Sequence, residues 1–170
     1  GVLPHRVVDP LNHASLTEYN EHAEIICETN ELGYKTRYEY DVFGNTTAII
    51  EPDGSSINLE FNTQQNLTKV TDQLGNSWRY TYNESCQLTC RINPLAHTLS
   101  YIYDGELLRA VTDAKNNKYN FSYDENLNIR SISENDIQQI SFSYDSLGNV
   151  LSIRDGKGNY KRRQYDKLNR

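Results

Sequence analysis

The sequence predicts an all-β protein, in which tandem β-hairpins of about 21 residues join into one long, curled antiparallel sheet. Three observations predict this. An aromatic residue followed by Asp or Asn returns as Tyr19, Tyr40, Phe61, Tyr82, Tyr103, Tyr123, Tyr144 and Tyr165, at intervals of 21, 21, 21, 21, 20, 21 and 21. Ten residues before each anchor stands an Asp, Asn or Glu: Asp9, Asn30, Glu51, Asp72, Asn93, Asp113, Glu134 and Asp155. Just ahead of each anchor the side chains alternate apolar and polar. Two landmarks that keep step along the whole chain define an internal repeat, and it takes precedence over any shorter motif.

The first element of the unit is a strand that ends on the anchor. Its apolar positions are four before, two before and at the anchor, as in Ile57/Leu59/Phe61, Trp78/Tyr80/Tyr82, Leu99/Tyr101/Tyr103, Tyr119/Phe121/Tyr123 and Ile140/Phe142/Tyr144. Period two means a strand with one covered face. Next comes Asp or Asn and a short polar stretch, as in Asp41-Val42-Phe43-Gly44-Asn45 and Asp145-Ser146-Leu147-Gly148-Asn149. An Asx side chain bonds a backbone N–H two residues on, and Gly or Asn accepts positive φ, so the chain reverses there.

The second strand is exemplified by Leu67 to Val70, Ile129 to Ile132 and Val150 to Ile153. Its apolar residues fall three apart, which alternation does not predict. Either a bulge or a sheet covered on both faces would account for it. A second turn, typified by Asp72-Gln73-Leu74-Gly75-Asn76 and Asp155-Gly156-Lys157-Gly158-Asn159, closes the unit. The 20-residue interval places its missing residue in the turn after Asp104, where Gly105 permits a shorter loop. Eight such units make a single array over residues 1–170, and both ends look cut. Two strands per unit, spaced about 4.8 Å apart, would extend about 75 Å, and strand twist should coil so long a ribbon.

Composition agrees and excludes much. The mean hydropathy is −0.76, and the chain has thirteen Tyr, one Trp and no Met. The net charge of −6 argues against a nucleic-acid partner. Lys157, Lys161, Arg162, Arg163, Lys167 and Arg170 crowd the end and read as a solvated basic edge. No apolar run approaches a membrane span, and Gly1-Val2-Leu3-Pro4 does not resemble a secretion signal.

Catalytic spacings are missing: there is no HExxH, GxSxG, Gly-rich phosphate loop or Cys/His zinc pattern, so no enzyme, cofactor or metal is expected. His5 is expected outside the repeat, His22 in a hairpin turn, and His13 and His97 at one turn position four units apart. Cys27 and Cys90 share a phase of the repeat and read as small strand residues, and Cys86 occupies a turn. The repeated Asp residues are expected to make turns rather than hold calcium, since Asn replaces them at Asn20, Asn62 and Asn83. The glycosylation-like triplets at Asn45, Asn66, Asn83 and Asn120 follow from an Asn- and Thr-rich repeat.

The unit Gly-Asn-x-x-x-Tyr-x-Tyr-Asp-x-x-Gly-Asn-Leu/Val resembles the Rhs, or YD, repeat. It is seen at Gly75-Asn76 through Tyr82 and at Phe142 to Val150, and Gln164 to Arg170 is close to the family's YDxxGR. The hairpin Gly survives only as Gly44 and Gly148, with Ala23, Gln65, Cys86, Leu127 and Asn169 elsewhere. Thr17 and Arg163 replace the aromatic residue two before the anchor.

The resemblance implies a spiralling β-sheet in a hollow shell. In this family such shells enclose a C-terminal toxic polypeptide in bacterial polymorphic toxins, secretion effectors and insecticidal toxin complexes, and form part of animal teneurins. The fragment is then shell wall, secreted or at a bacterial cell surface, with the rest of the shell and an enclosed toxin as partners. The repeat anchors Tyr40, Asp41, Phe61, Tyr80, Tyr82, Tyr101, Tyr103, Asp104, Phe121, Tyr123, Asp124, Phe142, Tyr144, Asp145, Tyr165 and Asp166 are expected to be structural.

Two alternatives stand beside this reading. One is a carbohydrate-binding or adhesive surface, which would need its rings open to solvent. The other is a barrel or propeller, since two units approach a propeller blade in length. Open sheet edges on an isolated piece would favour edge-to-edge association.

Overall fold

The computed structural model describes residues 5–8 and 14–170, and every regular element among them is a strand. Two compact segments divide the chain, Gly1–Ala96 and His97–Arg170. The first contains β1 (His5–Val8), β2 (Ala14–Tyr19), β3 (Ile25–Thr29), β4 (Lys35–Tyr40), β5 (Thr46–Ile50), β6 (Ser56–Phe61), β7 (Leu67–Thr71), β8 (Ser77–Tyr82) and β9 (Leu88–Ile92). The second contains β10 (Thr98–Asp104), β11 (Leu107–Thr112), β12 (Lys118–Tyr123), β13 (Ile129–Glu134), β14 (Ile137–Tyr144), β15 (Val150–Asp155) and β16 (Tyr160–Arg162). Within each segment every strand pairs antiparallel with the next, the all-β antiparallel class that the sequence predicts. His5, expected outside the repeat, lies in β1 opposite Thr17. Asp9 and His13 lie outside the described residues.

The register resolves the three-residue spacing in favour of a bulge. Glu60 faces Lys69 while Phe61 faces Leu67, so Thr68 is an extra residue on the second strand. The same irregularity recurs at Ile26, Thr47, Thr89, Arg109, Arg130 and Leu151. An extra residue shifts the pleat by one. Leu67 and Val70 therefore fall on one face, opposite Phe61 and Leu59 respectively.

That face carries continuous cross-strand rows: Tyr38–Ile49–Ile57, Leu59–Val70–Trp78, Tyr101–Val111–Tyr119 and Phe121–Ile132–Ile140. Rings are thus interleaved with β-branched aliphatics rather than stacked on each other. The one described ring pair, Phe142 and Tyr144, is tilted by 31° with centroids 6.4 Å apart. The opposite face has small residues at the centre of the second strand, among them Cys27, Ala48, Cys90 and Ala110, flanked by pairs such as Glu18/Arg37 and Glu39/Asn58. Among the described residues Cys27, Ala48 and Ala110 are the most covered, 7%, 5% and 3% exposed. The core is thin: among the described residues no side chain falls below 2% exposure.

Candidate functional site

The repeat landmarks converge on the hairpin ends, and each one is used there. After an anchor the chain turns through a type I turn followed by a residue in the left-handed region. At the first of these the Gly44 N–H donates to the Asp41 carbonyl at 3.2 Å, and the Asp41 N–H donates to the Asn45 carbonyl at 3.0 Å. The Asp41 carboxylate then staples the loop, accepting the Phe43 and Asn45 backbone N–H groups on Oδ1 and the Asn45 side-chain amide on Oδ2. Asp124 and Asp145 repeat this after their anchors, and Asp72, Asp113 and Asp155 repeat it in the second turns. The Asn45 amide holds the Asp41 carboxyl below its ordinary range, and Asn149 does the same for Asp145. Asp166 is held low by the Arg170 and Leu168 backbone N–H groups, and Arg170 Nε also bonds it.

The left-handed position does not require Gly. Ala23, Gln65, Cys86, Leu127 and Asn169 all take φ between 59° and 64° there. Where Asn opens the turn, the residue four on changes from donor to acceptor: Asn20 donates to the Glu24 carboxylate and Asn83 to the Gln87 carbonyl. The compensation that the Asn-for-Asp replacements lack at the sequence level is therefore present four residues away. Asn62 faces Asn66 instead, and the Asn66 Nδ2 is buried without a partner.

Two turns depart from this pattern in length, each with two residues between its paired ends. Asp104 pairs directly with Leu107 across a two-residue turn at Gly105-Glu106, as the short interval requires, and its carboxylate holds Arg109 at 2.7 Å rather than stapling a loop. Glu134 pairs with Ile137 across Asn135-Asp136, both at positive φ, and a bulge at Gln139 restores the count.

The anchor tyrosines have a specific task that the sequence reading missed. β7 and β8 pair only as far as Lys69 and Arg79, because the bulge diverts β7 toward its turn. Beyond that limit the Leu67 carbonyl accepts a hydrogen bond from the Tyr82 hydroxyl at 2.9 Å. The same clasp joins Tyr40 to Ile25, Tyr123 to Leu108, Tyr144 to Ile129 and Tyr165 to Val150, each reaching back fifteen residues. Burial pushes the Tyr82, Tyr103 and Tyr144 hydroxyls up from their ordinary value. Tyr38, two residues before the anchor Tyr40, is pushed up to about 12 by its bond to Glu28.

Tyr80, Tyr101, Phe121 and Phe142 have no clasp of this kind and lie half-buried in the rows of the aromatic face. Phe61 occupies the anchor position without a hydroxyl, also half-buried.

The other marked residues fall where they have little chemistry. Cys27, Cys86 and Cys90 are free thiols, buried, exposed and half-buried in that order. Among the described residues no His, Cys, Asp or Glu cluster could hold a metal. The amide nitrogens of Asn45, Asn83 and Asn120 are hydrogen-bonded. No helix among the described residues is long and apolar enough to cross a membrane.

This is a tandem β-hairpin scaffold held by turn staples, ring rows and tyrosine clasps, and comparisons with known proteins agree. Residues 26–56 match the RHS Repeat family model. That match spans 31 of the 170 residues of the chain. No curated protein matches it. Among solved structures it is similar to TcdB2-TccC3 without its hypervariable C-terminal region, with a TM-score of 0.65, 15% identity, and 88% of this chain and 9% of that one covered. The Photorhabdus luminescens Tc holotoxin pore gives a TM-score of 0.66 at 15% identity, with 88% and 9% covered. The chain spans about 9% of the length of these proteins, and at this identity the likeness is one of fold.

Proposed function

We propose that this chain is a wall segment of an Rhs-type β-shell, its eight units forming a single array whose role is structural rather than catalytic. The observation that carries this reading is that the landmark side chains are consumed in holding hairpin to hairpin. The tyrosine hydroxyls bond backbone carbonyls, and the Asp carboxylates bond their own turns. These groups are engaged with the chain's own backbone and turns, the use expected of parts that hold a fold together. The rings Tyr80, Tyr82, Tyr101, Tyr103, Phe121 and Tyr123 are half-buried in rows, which favours a load-carrying layer over an open row of sugar platforms. We infer that the parent protein is secreted or displayed at a cell surface, and that its shell encloses a C-terminal polypeptide of toxin or effector type.

Limited proteolysis of the full-length parent tests this. A C-terminal polypeptide that resists trypsin in the native protein, and is digested once Tyr82, Tyr103 and Tyr123 are all changed to Ala, supports enclosure. Equal digestion of both rejects it.

A further inference from the structure

Along one edge of the first segment, the consecutive turns 30–34, 51–55 and 72–76 border a groove of about 600 Å³, lined by Tyr34, Glu51, Pro52, Asp53 and Leu74 among others. Two of these turns break the repeat. Tyr34 stands where Asn76, Asn117 and Asn159 close the equivalent turns with their amides. Its own turn closes without it, because Asn30 Oδ1 accepts the Tyr34 backbone N–H at 3.0 Å. The ring is left 57% exposed, and Leu32 and Leu74 beside the groove are 80% and 87% exposed. Glu51 replaces the usual Asp or Asn, and Asp53 takes over the capping, accepting from Ser55 N and Oγ. The fold therefore asks neither for an exposed ring nor for a second carboxylate at this place.

Charge identifies the occupant. Over residues 1–96 Asp and Glu outnumber Lys and Arg thirteen to six, and Lys69, Arg109 and Arg170, which pair with Glu60, Asp104 and Asp166, do not line the groove. A neutral sugar could stack on Tyr34 and donate hydroxyl hydrogen bonds to the carboxylates, but it would leave their charge uncompensated. A basic side chain gains from both, laying its stem on the ring and Leu74 and its head against Glu51 and Asp53. Neighbouring turns on this edge are two strands apart, about 9.6 Å. A polyproline II segment repeats every three residues at about 3.1 Å each, about 9.3 Å per turn. We propose that the groove binds a basic polypeptide segment in this conformation, with Arg or Lys at the Glu51/Asp53 turn and apolar residues three positions to either side, over Tyr34/Leu32 and Leu74. The proposal is independent of the shell reading.

The test is fluorescence anisotropy of the 170-residue chain with a labelled Leu-Pro-Pro-Arg-Pro-Pro-Leu peptide. Tyr34→Ala and the double change Glu51→Gln/Asp53→Asn should each weaken binding at least fivefold with unchanged far-UV circular dichroism. Added salt should weaken it as well, and the peptide with Glu for Arg should not bind. The Gln/Asn variant keeps the Ser55 and Thr36 hydrogen bonds, so it serves even if the Ala variant folds poorly. Absent binding, equal affinity for the variants, or equal binding of the Glu peptide overturns the proposal. Binding of neutral maltoheptaose that competes with the peptide and is lost in Tyr34→Ala also overturns it, in favour of a saccharide platform.

Discussion

Two neighbouring hairpins, one anchored at Tyr40 and the next at Phe61, follow the same backbone path with different chemistry. The first has a clasp from Tyr40 to the Ile25 carbonyl, a Gly at the left-handed position and an Asp41–Asn45 staple. The second has Phe61 without a hydroxyl, Gln65 at φ 63° and an Asn62–Asn66 pair that leaves one amide unpartnered. Both nevertheless keep the same bulge, the same turn hydrogen bonds and the same face assignment. None of the three devices is therefore indispensable by itself. What the two hairpins share is the row of apolar side chains, Tyr38–Ile49–Ile57 in one and Leu59–Val70–Trp78 in the other.

The largest expected effect is accordingly on the rows. Leu59→Ala should cost about 2–4 kcal/mol, somewhat less than for a fully buried side chain because Leu59 is only half-covered. A urea titration of the 170-residue chain measures it. A loss below about 1 kcal/mol would mean that the turn devices, not the rows, hold the second hairpin.

The left-handed position comes next. Gly44→Gln copies Gln65 into the first hairpin and should cost about 1–2 kcal/mol, the penalty for an L-residue in that region. A Cβ at residue 44 would also stand 2.8 Å from the Glu24 Oε1, and Asn20 holds that carboxylate through its other oxygen, Oε2. The reverse change, Gln65→Gly, should gain no more than about 1 kcal/mol, because glycine also frees the unfolded chain. Equal and opposite effects would show that the Glu24 contact is irrelevant.

These differences show how much of the molecule is legible in its sequence. The anchors are legible because strand alternation and turn chemistry both act over a few residues. Gly105 could be read as a short turn because a missing residue has only one place to go. The bulge is visible only as a broken period, since a three-residue spacing is equally what a doubly covered strand would show. The clasp is invisible because it joins residues fifteen apart through a backbone carbonyl, which carries no sequence signal. The turn at Asn135-Asp136 is hidden because a compensating bulge at Gln139 keeps the 21-residue count intact. The donor-to-acceptor exchange of Asn20 with Glu24 and of Asn83 with Gln87 could have been found, had the two ends of each turn been compared as pairs.

The clasp predicts a smaller, directional effect. Tyr40→Phe should lose about 1 kcal/mol, one hydrogen bond to a carbonyl that no strand satisfies. Phe61→Tyr should regain part of that by offering a hydroxyl to Thr46, fifteen residues back. A crystal structure of Phe61→Tyr with its hydroxyl turned to solvent would show that the β5–β6 junction lacks the geometry the other junctions have.

The smallest effect is at the staple, and its pH dependence separates it from the others. Asn62→Asp supplies a carboxylate oxygen to the Asn66 amide, as Asp72 does for Asn76 at 2.9 Å. It should stabilise the chain by about 0.5–1.5 kcal/mol at neutral pH. By analogy with Asp72, whose carboxyl is held below 3.8 chiefly by the Asn76 amide, the new carboxyl should titrate lower in the folded than in the unfolded state. A group depressed in the folded state binds fewer protons there than when unfolded, so its contribution is complete above the unfolded value and drains away as the pH falls through the folded one. Urea midpoints of the variant and the parent chain should therefore differ at pH 7 and converge as acid protonates the carboxyl in the folded state too. A difference that persists in acid would place the gain in the unfolded chain or in packing, and the exchange of donor for acceptor across these turns would then not be what stabilises them.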